Sequence, residues 1–276
     1  MADGLHYAPA VLPHVAGLDG VGRLEDGTRV AFFAPRAPYG GMAEEVLVRR
    51  GMWIPVPGGA DDVTAAALLN PGVTAWKAVA WEGRLTAGQS VLVLGATGAS
   101  GRVAALLAAR RGARVVAAGR NRPVLERLVE ASGVHATIWL GLPPDELADV
   151  IGSLGPFDLI VDYLWGPPAE AVFAALARDD RPSGRPPGLV RHLLVGMTAG
   201  EVARVPAAAL RKAPVQVVGS GTGGRAPLAD VAAAFGELLD DAARGELMLD
   251  VDAVPLADVE KVWGRGDDAR RVVFVP

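Results

Sequence analysis

Residues 89–122 of the chain read QSVLVLGATGASGRVAALLAARRGARVVAAGRNR. Residues 90–94 form a short apolar run, which is typical of a strand buried on both faces. Residues 102–111 are rich in Ala and Leu, and Gly112 follows them as glycine follows the end of a helix. A second apolar run, residues 114–118, comes next. The stretch therefore predicts a β-α-β unit with three glycines between its first strand and its helix.

These three glycines have the spacing G-x-x-G-x-x-G, which suits a loop that holds a pyrophosphate. Gly95 is expected to make the tight turn, Gly98 to let the backbone approach the phosphates, and Gly101 to let the helix pack on the strand. The N–H groups and partial positive charge of a helix N-terminus favour an anion at that place. We therefore predict that the whole loop contacts the cofactor: Gly95, Ala96, Thr97, Gly98, Ala99, Ser100 and Gly101.

The end of the second strand indicates which nucleotide the chain binds. NAD-binding folds place an acidic residue there to hold the ribose 2′-hydroxyl. Here the next acidic residue is Glu126, which already lies in the following helix. Arginine suits a 2′-phosphate because its guanidinium offers charge and paired donors. We therefore predict NADP(H) rather than NAD(H), with Arg120 as the main contact in a set that comprises Gly119, Arg120, Asn121 and Arg122.

The composition limits the classes of function. The chain has 276 residues, of which 51% are hydrophobic, and a formal net charge of −4. Because it has no long basic run, nucleic acid and anionic membranes are poor candidates as partners. It has no cysteine, which excludes disulfides and thiolate zinc sites, and we expect no metal. No apolar run reaches transmembrane length, so we expect a cytoplasmic protein.

Strands and helices continue to alternate after residue 122, which predicts a doubly wound parallel sheet of the Rossmann type. The further strands are predicted at residues 135–140, 158–163, 189–197 and 215–219. We expect His192, in the middle of its strand, to be a structural residue of the core or of the sheet edge. The predicted NADP-binding domain covers residues 73–228.

The two flanking segments have a different texture, with short apolar runs and many turn residues. We expect strands at residues 43–48 and 247–251, and a helix that breaks at Asn70-Pro71-Gly72. We therefore expect the NADP-binding domain to be inserted in a discontinuous, β-rich catalytic domain formed by residues 1–72 and 229–276.

Six segments, taken in order, carry a resemblance to a known family. They are VAGLDGVG at 15–22, DGTRV at 26–30, AALLNPGVTAW at 66–76, GATGASG at 95–101, GRNR at 119–122 and RRVVFV at 270–275. Together they resemble the medium-chain dehydrogenase/reductase superfamily, in its zinc-independent quinone oxidoreductase-like branch. In that family the first segment lies well inside the catalytic domain, so we expect this domain to be shortened at its N-terminus.

The resemblance implies a Rossmann domain inserted in a GroES-like domain, and metal-free reduction of α,β-unsaturated carbonyls or quinones by NADPH. It also implies a homodimer that pairs through the sheet edge at residues 215–218. Tyr7, in the pattern G-x-x-Y, is similar to a family tyrosine beside the nicotinamide, and Tyr39 is expected to line the same cleft. Asn70 and Thr74 would face the nicotinamide ribose or phosphate.

A last group of candidates lies where predicted strands end. Ligands of open α/β sheets bind at the carboxyl ends of the strands, where backbone contacts are expected to dominate. These candidate cofactor contacts are Tyr163, Gly196, Met197, Gly219 and Ser220.

Two other functions remain open at this point. A short-chain reductase also carries G-A-T-G-x-x-G, but 94 residues precede Gly95 here and no tyrosine is followed four positions later by lysine. A non-catalytic NADPH-binding protein, acting as a redox sensor or partner subunit, would bind the nucleotide without turning over an acceptor. Assays with enones and quinones separate that class from a reductase.

Overall fold

The computed structural model describes residues 12–178, 188–221, 226–247, 249–264 and 270–276. The chain divides into two compact units. One unit takes in the chain up to Val73 and again from Pro227 onward, and the other runs from Thr74 to Ala226. No helix among the described residues is both long and apolar enough to cross a membrane.

The second unit is built on a six-stranded sheet in which every neighbouring pair is parallel. The strand order is β6-β5-β4-β7-β8-β9, which is the doubly wound Rossmann order, and the predicted fold class is confirmed. The strands are β4 (Ser90–Leu94), β5 (Arg114–Gly119), β6 (Ala136–Trp139), β7 (Leu159–Asp162), β8 (Val190–Leu194) and β9 (Val215–Gly219).

Helices connect these strands and cover the sheet. The helices of this unit are α2 (Ala99–Arg110), α3 (Arg122–Ser132), α4 (Pro144–Leu154), α5 (Gly166–Leu176) and α6 (Ala207–Lys212). Leu92 and Leu94 of β4 pack in one core cluster with side chains of α4 and α5. Since side chains alternate along a strand, Val91 and Val93 point to the other face, and all four are fully buried. The central strands are therefore continuous apolar runs, as parallel strands with both faces covered must be.

The first unit contains two small sheets. The strands β1 (Asp19–Arg23), β2 (Arg29–Phe33) and β3 (Trp53–Pro55) form an antiparallel sheet, and β10 (Val251–Pro255) pairs in parallel with β11 (Arg271–Val275). The helices α7 (Leu228–Ala243) and α8 (Val259–Val262) belong to the same unit.

The predicted helix break at Asn70-Pro71-Gly72 is wrong. A single helix, α1, runs from Asp62 to Trp76 with Pro71 inside it, and a π-helical turn, Lys77–Trp81, follows. Pro71 and Gly72 are both buried, and a Cβ on Gly72 would lie 2.8 Å from Cδ1 of Leu238. Close packing against α7 therefore accounts for the glycine, and tertiary contacts offset the backbone hydrogen bond that a proline removes.

Two predicted strands of the first unit are also wrong. Residues 43–48 contain no strand, and the backbone before them bonds to a loop, as Met42 N–H donates to the carbonyl of Ala16 at 2.9 Å. The strand expected at 247–251 begins only at Val251, because its pairing with β11 runs from Val251 opposite Arg271 to Pro255 opposite Val275. Alternation along the sequence does not reveal which partner a strand will find.

Candidate nucleotide-binding site

The turn between β4 and α2 has the geometry of a phosphate-binding loop. Gly95 has φ +88°, a conformation that favours glycine, and its N–H and that of Ala96 both donate to the carbonyl of Ala118, at 2.9 and 2.8 Å. These two N–H groups thus shape the turn. The N–H groups of the first helical residues, Ala99, Ser100 and Gly101, have no acceptor within α2. N–H groups of this kind are the ones that bind anions at helix N-termini.

The other two glycines of the loop have different reasons to be glycine. A Cβ on Gly101 would lie 2.1 Å from the carbonyl oxygen of Gly95, so the helix can approach the strand only without a side chain there. A Cβ on Gly98 would meet only the Gly95 carbonyl oxygen, at 3.5 Å, and Gly98 has an ordinary φ of −81°. The fold itself therefore tolerates a methyl group at position 98, and its contact with a ligand stays a prediction.

Thr97 links this loop to the end of β5. A Cβ on Gly119 would lie 2.3 Å from Cγ2 of Thr97, so the threonine side chain packs directly on the glycine backbone. Thr97 is 9% exposed. The two segments that the sequence assigned to the pyrophosphate and to the ribose are thereby held in contact.

In the segment after β5, two exposed arginines, Arg120 and Arg122, lie on either side of the residue that caps α3. The side chain of Asn121 caps α3, where its Oδ1 accepts from the N–H of Val124 at 3.2 Å. The guanidinium of Arg122 lies 3.9 Å from the centre of the Trp139 ring. The indole N–H of Trp139 donates to the carbonyl of Arg120 at 3.1 Å. Asn121 thus has a structural role in addition to the contact predicted for it.

Across the sheet, the crevice is bounded by the turn after β7. The strand order reverses between β4 and β7, and ligands of such sheets bind beyond the carboxyl ends at that point. A Cβ on Gly95 would lie 3.2 Å from Cβ of Tyr163, so the two turns touch. Thr198 also donates its hydroxyl to the Tyr163 carbonyl at 3.1 Å, and a Cβ on Gly196 would be 2.6 Å from that oxygen.

The phenol of Tyr163 is shielded from water. Its hydroxyl oxygen is buried and has no hydrogen-bond partner among the described residues. Burial raises the pKa of this phenol well above its ordinary value, so it is a neutral donor at any physiological pH.

A buried pair holds this second turn in place. Nε2 of His192 lies 2.8 Å from Oδ2 of Asp162, and both side chains are fully buried. The other carboxylate oxygen accepts from the backbone N–H groups of Leu164 and Trp165, at 2.8 and 2.9 Å. The His192 ring stacks on Phe173 with 5.1 Å between ring centres. Of the two places expected for His192, the core and the sheet edge, the structure shows the core, with a carboxylate partner that the sequence did not reveal.

The remaining predicted contacts of this unit lie at the ends of β8 and β9. Met197 follows β8 in a loop, because β8 ends at Leu194 and not at residue 197 as predicted. Gly219 is the last residue of β9, and the buried Ser220 donates its N–H to the Leu194 carbonyl at 2.7 Å. Nearby, Lys77 donates to the Gly221 carbonyl at 2.7 Å and pairs with Glu82 at 3.1 Å.

Four further residues were predicted for the site. Tyr7 lies outside the described residues. Tyr39 is 56% exposed in a loop of the first unit. Asn70 and Thr74 are four positions apart on one continuous helix, so they share one of its sides and do not flank a break.

The first unit has a cavity of its own, with a volume of about 1130 Å³. Its lining includes Asp19, Arg271, Phe32, Trp53 and Phe274. Burial raises the pKa of the Asp19 carboxyl, and the positive charge of Arg271 opposes that rise. No sequence pattern indicates this cavity, because its lining comes from segments far apart in the chain.

Comparison with known proteins finds relatives over almost the whole chain. No family model matches. A probable NADPH-dependent quinone reductase of Emericella nidulans, tdiC, is 27% identical over all of this chain and 87% of its own length. The quinone oxidoreductase of Thermus thermophilus, solved also with NADPH, is 28% identical, with a TM-score of 0.68, over 93% of this chain and 78% of that one. The Escherichia coli quinone oxidoreductase complexed with NADPH is 18% identical, with a TM-score of 0.80, over 99% of this chain and 85% of that one.

Proposed function

We propose that the chain is a member of the medium-chain dehydrogenase/reductase superfamily, as its sequence resemblance predicts, and that it reduces quinones or α,β-unsaturated carbonyls by hydride transfer from NADPH. The relatives' names point to the quinone oxidoreductase-like branch, which the sequence resemblance implies is zinc-independent. The cofactor prediction agrees with the same relatives.

The residues at the strand ends fit this cofactor. The first-turn N–H groups of α2 are left over for a pyrophosphate, and Gly98 leaves space that a Cβ would fill. Arg120 and Arg122 are exposed beside the end of β5, where a ribose 2′-phosphate would need positive charge. The observation that carries the proposal is this pair of features: first-turn N–H groups that have no acceptor within α2, and two exposed arginines after the neighbouring strand β5.

When bound, NADPH supplies the hydride, and the protein supplies binding, orientation and electrostatics. The turns at Gly95 and Tyr163 bound the crevice from β4 and β7. In a quinone or enone reaction, negative charge develops on an oxygen, and hydrogen-bond donors aimed at it lower the barrier. We propose two catalytic-domain residues that offer such donors: Tyr7, by its resemblance to a family tyrosine, and Tyr39, by its place in a loop rich in Pro and Gly.

We further propose the boundaries of the two functional parts. Residues 73–228 form the NADP-binding domain, and residues 1–72 with 229–276 form the GroES-like catalytic domain. The division of the chain near residues 73 and 227 supports this assignment. Asn70 and Thr74, at this boundary on α1, are proposed to contact the nicotinamide ribose or phosphate, together with Gly196, Met197, Gly219 and Ser220 beyond the strand ends.

A panel of acceptors tests the activity. We expect purified protein to oxidise NADPH, followed by its absorbance, in the presence of a naphthoquinone or a short-chain enone. The saturated ketone of the same length is the matched control, since it lacks the conjugated carbon that accepts hydride. If the protein binds NADPH and no acceptor is reduced, a non-catalytic NADPH-binding protein is the correct class.

The small-molecule acceptor is one partner, and a second copy of the chain is the other that we propose. β9 pairs only with β8 among the described strands, so one edge of the sheet is open, and Val217 on it is 42% exposed. Edge strands pair readily with a second chain. Light scattering should therefore give a dimer, and Val217→Lys should shift it to a monomer. Val202→Lys, at an exposed loop position, is the control.

We place the reaction in the cytoplasm, where NADPH is regenerated. Fractionation of the producing cells, with the chain followed by an antibody, tests this compartment. Recovery of the chain in a membrane or secreted fraction would contradict it.

A further inference from the structure

Trp139, the last residue of β6, joins the two arginines of the proposed 2′-phosphate site. Its ring packs against the backbone of Gly141, where an added Cβ would lie 2.2 Å from the ring carbon Cζ2. Arg122 lies over the ring with its guanidinium 3.9 Å from the ring centre. No sequence pattern marks this tryptophan, because its partners come from the end of the neighbouring strand β5.

The stacking leaves the guanidinium able to bind. Contact with a ring uses the flat face of the guanidinium, whereas its N–H donors lie in its plane and point outward. Within the described part of the chain, no carboxylate pairs with Arg122, and the ring contact is the one interaction that its side chain makes there. The arginine is therefore held in one place with its N–H donors available, as bidentate hydrogen bonding to a phosphate requires.

The same ring also fixes the second arginine at its backbone. The Trp139 indole N–H donates to the Arg120 carbonyl at 3.1 Å. Asn121, between the two arginines, caps α3 through Val124. Each of the three residues from Arg120 to Arg122 thus has a contact that fixes its position. Two of these contacts, to the Arg120 carbonyl and to the Arg122 guanidinium, come from the Trp139 side chain.

We propose that Trp139 is a positioning residue that sets the preference for NADPH over NADH, by holding Arg122 and the Arg120 backbone in the geometry that binds a 2′-phosphate. This inference rests on the proposed NADPH-binding function. Holding a long side chain in its bound conformation before the ligand arrives removes part of the entropy cost of binding. The 2′-phosphate is the one group that this device should recognise.

Calorimetry with two halves of the cofactor tests the inference. Adenosine 2′,5′-bisphosphate and adenosine 5′-monophosphate differ only in the 2′-phosphate. The dissociation constant of the monophosphate divided by that of the bisphosphate therefore reports the contribution of that group, and a high value means a preference for the 2′-phosphate. We expect Trp139→Leu to lower this ratio about fivefold, the size of one cation–π contact. Trp139→Phe keeps a ring under Arg122 and should lower the ratio by less than about twofold. Trp263→Leu, a half-exposed tryptophan of the other unit, should leave it unchanged.

The arginine variants separate this inference from the proposed function. Arg122→Gln should lower the ratio, and adding Trp139→Leu to it should lower the ratio by less than Trp139→Leu does alone, because the contact between Trp139 and Arg122 is then already lost and only the hydrogen bond to the Arg120 carbonyl remains to be removed. If Trp139→Leu does not fold, Arg122→Lys replaces it, since an ammonium keeps the charge but lacks the flat face that stacks.

Each outcome then has one meaning. A wild-type ratio near one overturns the NADPH assignment itself. A high wild-type ratio that falls in Arg122→Gln but not in Trp139→Leu, or in Arg122→Lys if that variant is used, overturns only the positioning role. An equal loss of affinity for both nucleotides in Trp139→Leu also overturns it, because a general structural fault would act on both.

Discussion

At the scale of single residues, each of the three glycines of the β4–α2 loop is a glycine for a different physical reason. Gly95 needs its positive φ, Gly101 needs the absence of a side chain for helix packing, and Gly98 needs neither for the fold. A residue that the fold does not require, at a place where a ligand must approach, indicates function. The positions could be read from the spacing, but only the backbone geometry separates the three roles.

Paired alanine substitutions test this separation. Gly98→Ala should change the free energy of unfolding by less than about 0.5 kcal/mol, yet weaken NADPH binding about tenfold or more by blocking the approach of the phosphates. Gly101→Ala should destabilise the chain by about 2 kcal/mol or more, since its Cβ meets backbone. Urea unfolding without nucleotide and calorimetric titration measure the two effects. Equal effects of both variants on stability would contradict the assignment.

Asp61, at the start of α1, supports a prediction about pH. Its carboxylate accepts from the N–H of Thr64 at 2.8 Å and from the Thr64 hydroxyl at 2.9 Å. These hydrogen bonds, the backbone one first, hold the pKa of Asp61 below its usual 3.8. A carboxyl with a lowered pKa in the folded state stabilises it above pH 3.8, and this contribution is lost as the pH falls through the lowered pKa.

Asp61→Ala should therefore cost about 1 kcal/mol of stability at neutral pH, and the difference from wild type should shrink below pH 3.8. Asp61→Asn is the matched control, because asparagine caps a helix without ionising. Urea unfolding across the acidic range measures both variants. A cost of Asp61→Ala that stays constant down to about pH 2 would contradict the role of the charged carboxylate.

At the scale of elements, the turn between β7 and α5 is organised by a contact that no local pattern contains. Asp162 and His192 are 30 positions apart, and each lies in an apolar strand that was predicted for its hydrophobicity. Trp165 in this turn has φ +54°, which is costly for a tryptophan, and two backbone donors to Asp162 hold it. The pair therefore supports an otherwise unfavourable turn beside the crevice.

Replacing His192 should lower the free energy of unfolding, because Asp162 would then be buried without its partner. His192→Phe keeps the ring that stacks on Phe173 but leaves Asp162 Oδ2 without its partner, and we expect a loss of about 3 kcal/mol. His192→Gln keeps an N–H donor and should cost less than half as much. Urea unfolding compares them. A smaller loss in His192→Phe than in His192→Gln would show that ring packing, and not the hydrogen bond, carries the stability.

The elements also show how far the sequence could lead. The strands of the large sheet were predictable, because strands buried on both faces are written as continuous apolar runs. The Trp139 contact and the unbroken helix α1 were not, because each depends on packing between distant segments: Trp139 on β5, and Gly72 on Leu238. The two strands misplaced in the first unit fail for the same reason, since pairing decides where a short strand begins.

At the scale of the whole molecule, one compact unit contains a doubly wound sheet with the proposed nucleotide-binding residues at its carboxyl edge, and the other contains the two small sheets. The order of strands places the loops after β4, β5 and β7 at one edge of the sheet. The loop after β4 contributes backbone N–H groups and the loop after β5 contributes arginines. The loop after β7 contributes a turn whose backbone is held by Asp162. The proposed reductase follows from this arrangement together with the relatives' chemistry.

Calorimetric titration of the wild-type protein with NADPH and with NADH decides whether the nucleotide site is the one proposed. We expect NADPH to bind about tenfold or more tightly, because charge-assisted pairing of a phosphate is worth about 1.5–3 kcal/mol. Arg120→Glu should abolish that preference without weakening NADH binding, since an acidic residue at this place suits a ribose 2′-hydroxyl. Arg211→Glu, in the last turn of α6, should change the affinity for neither nucleotide. Equal affinity of the wild type for the two nucleotides, with Arg120→Glu binding both as the wild type does, would contradict the proposed site.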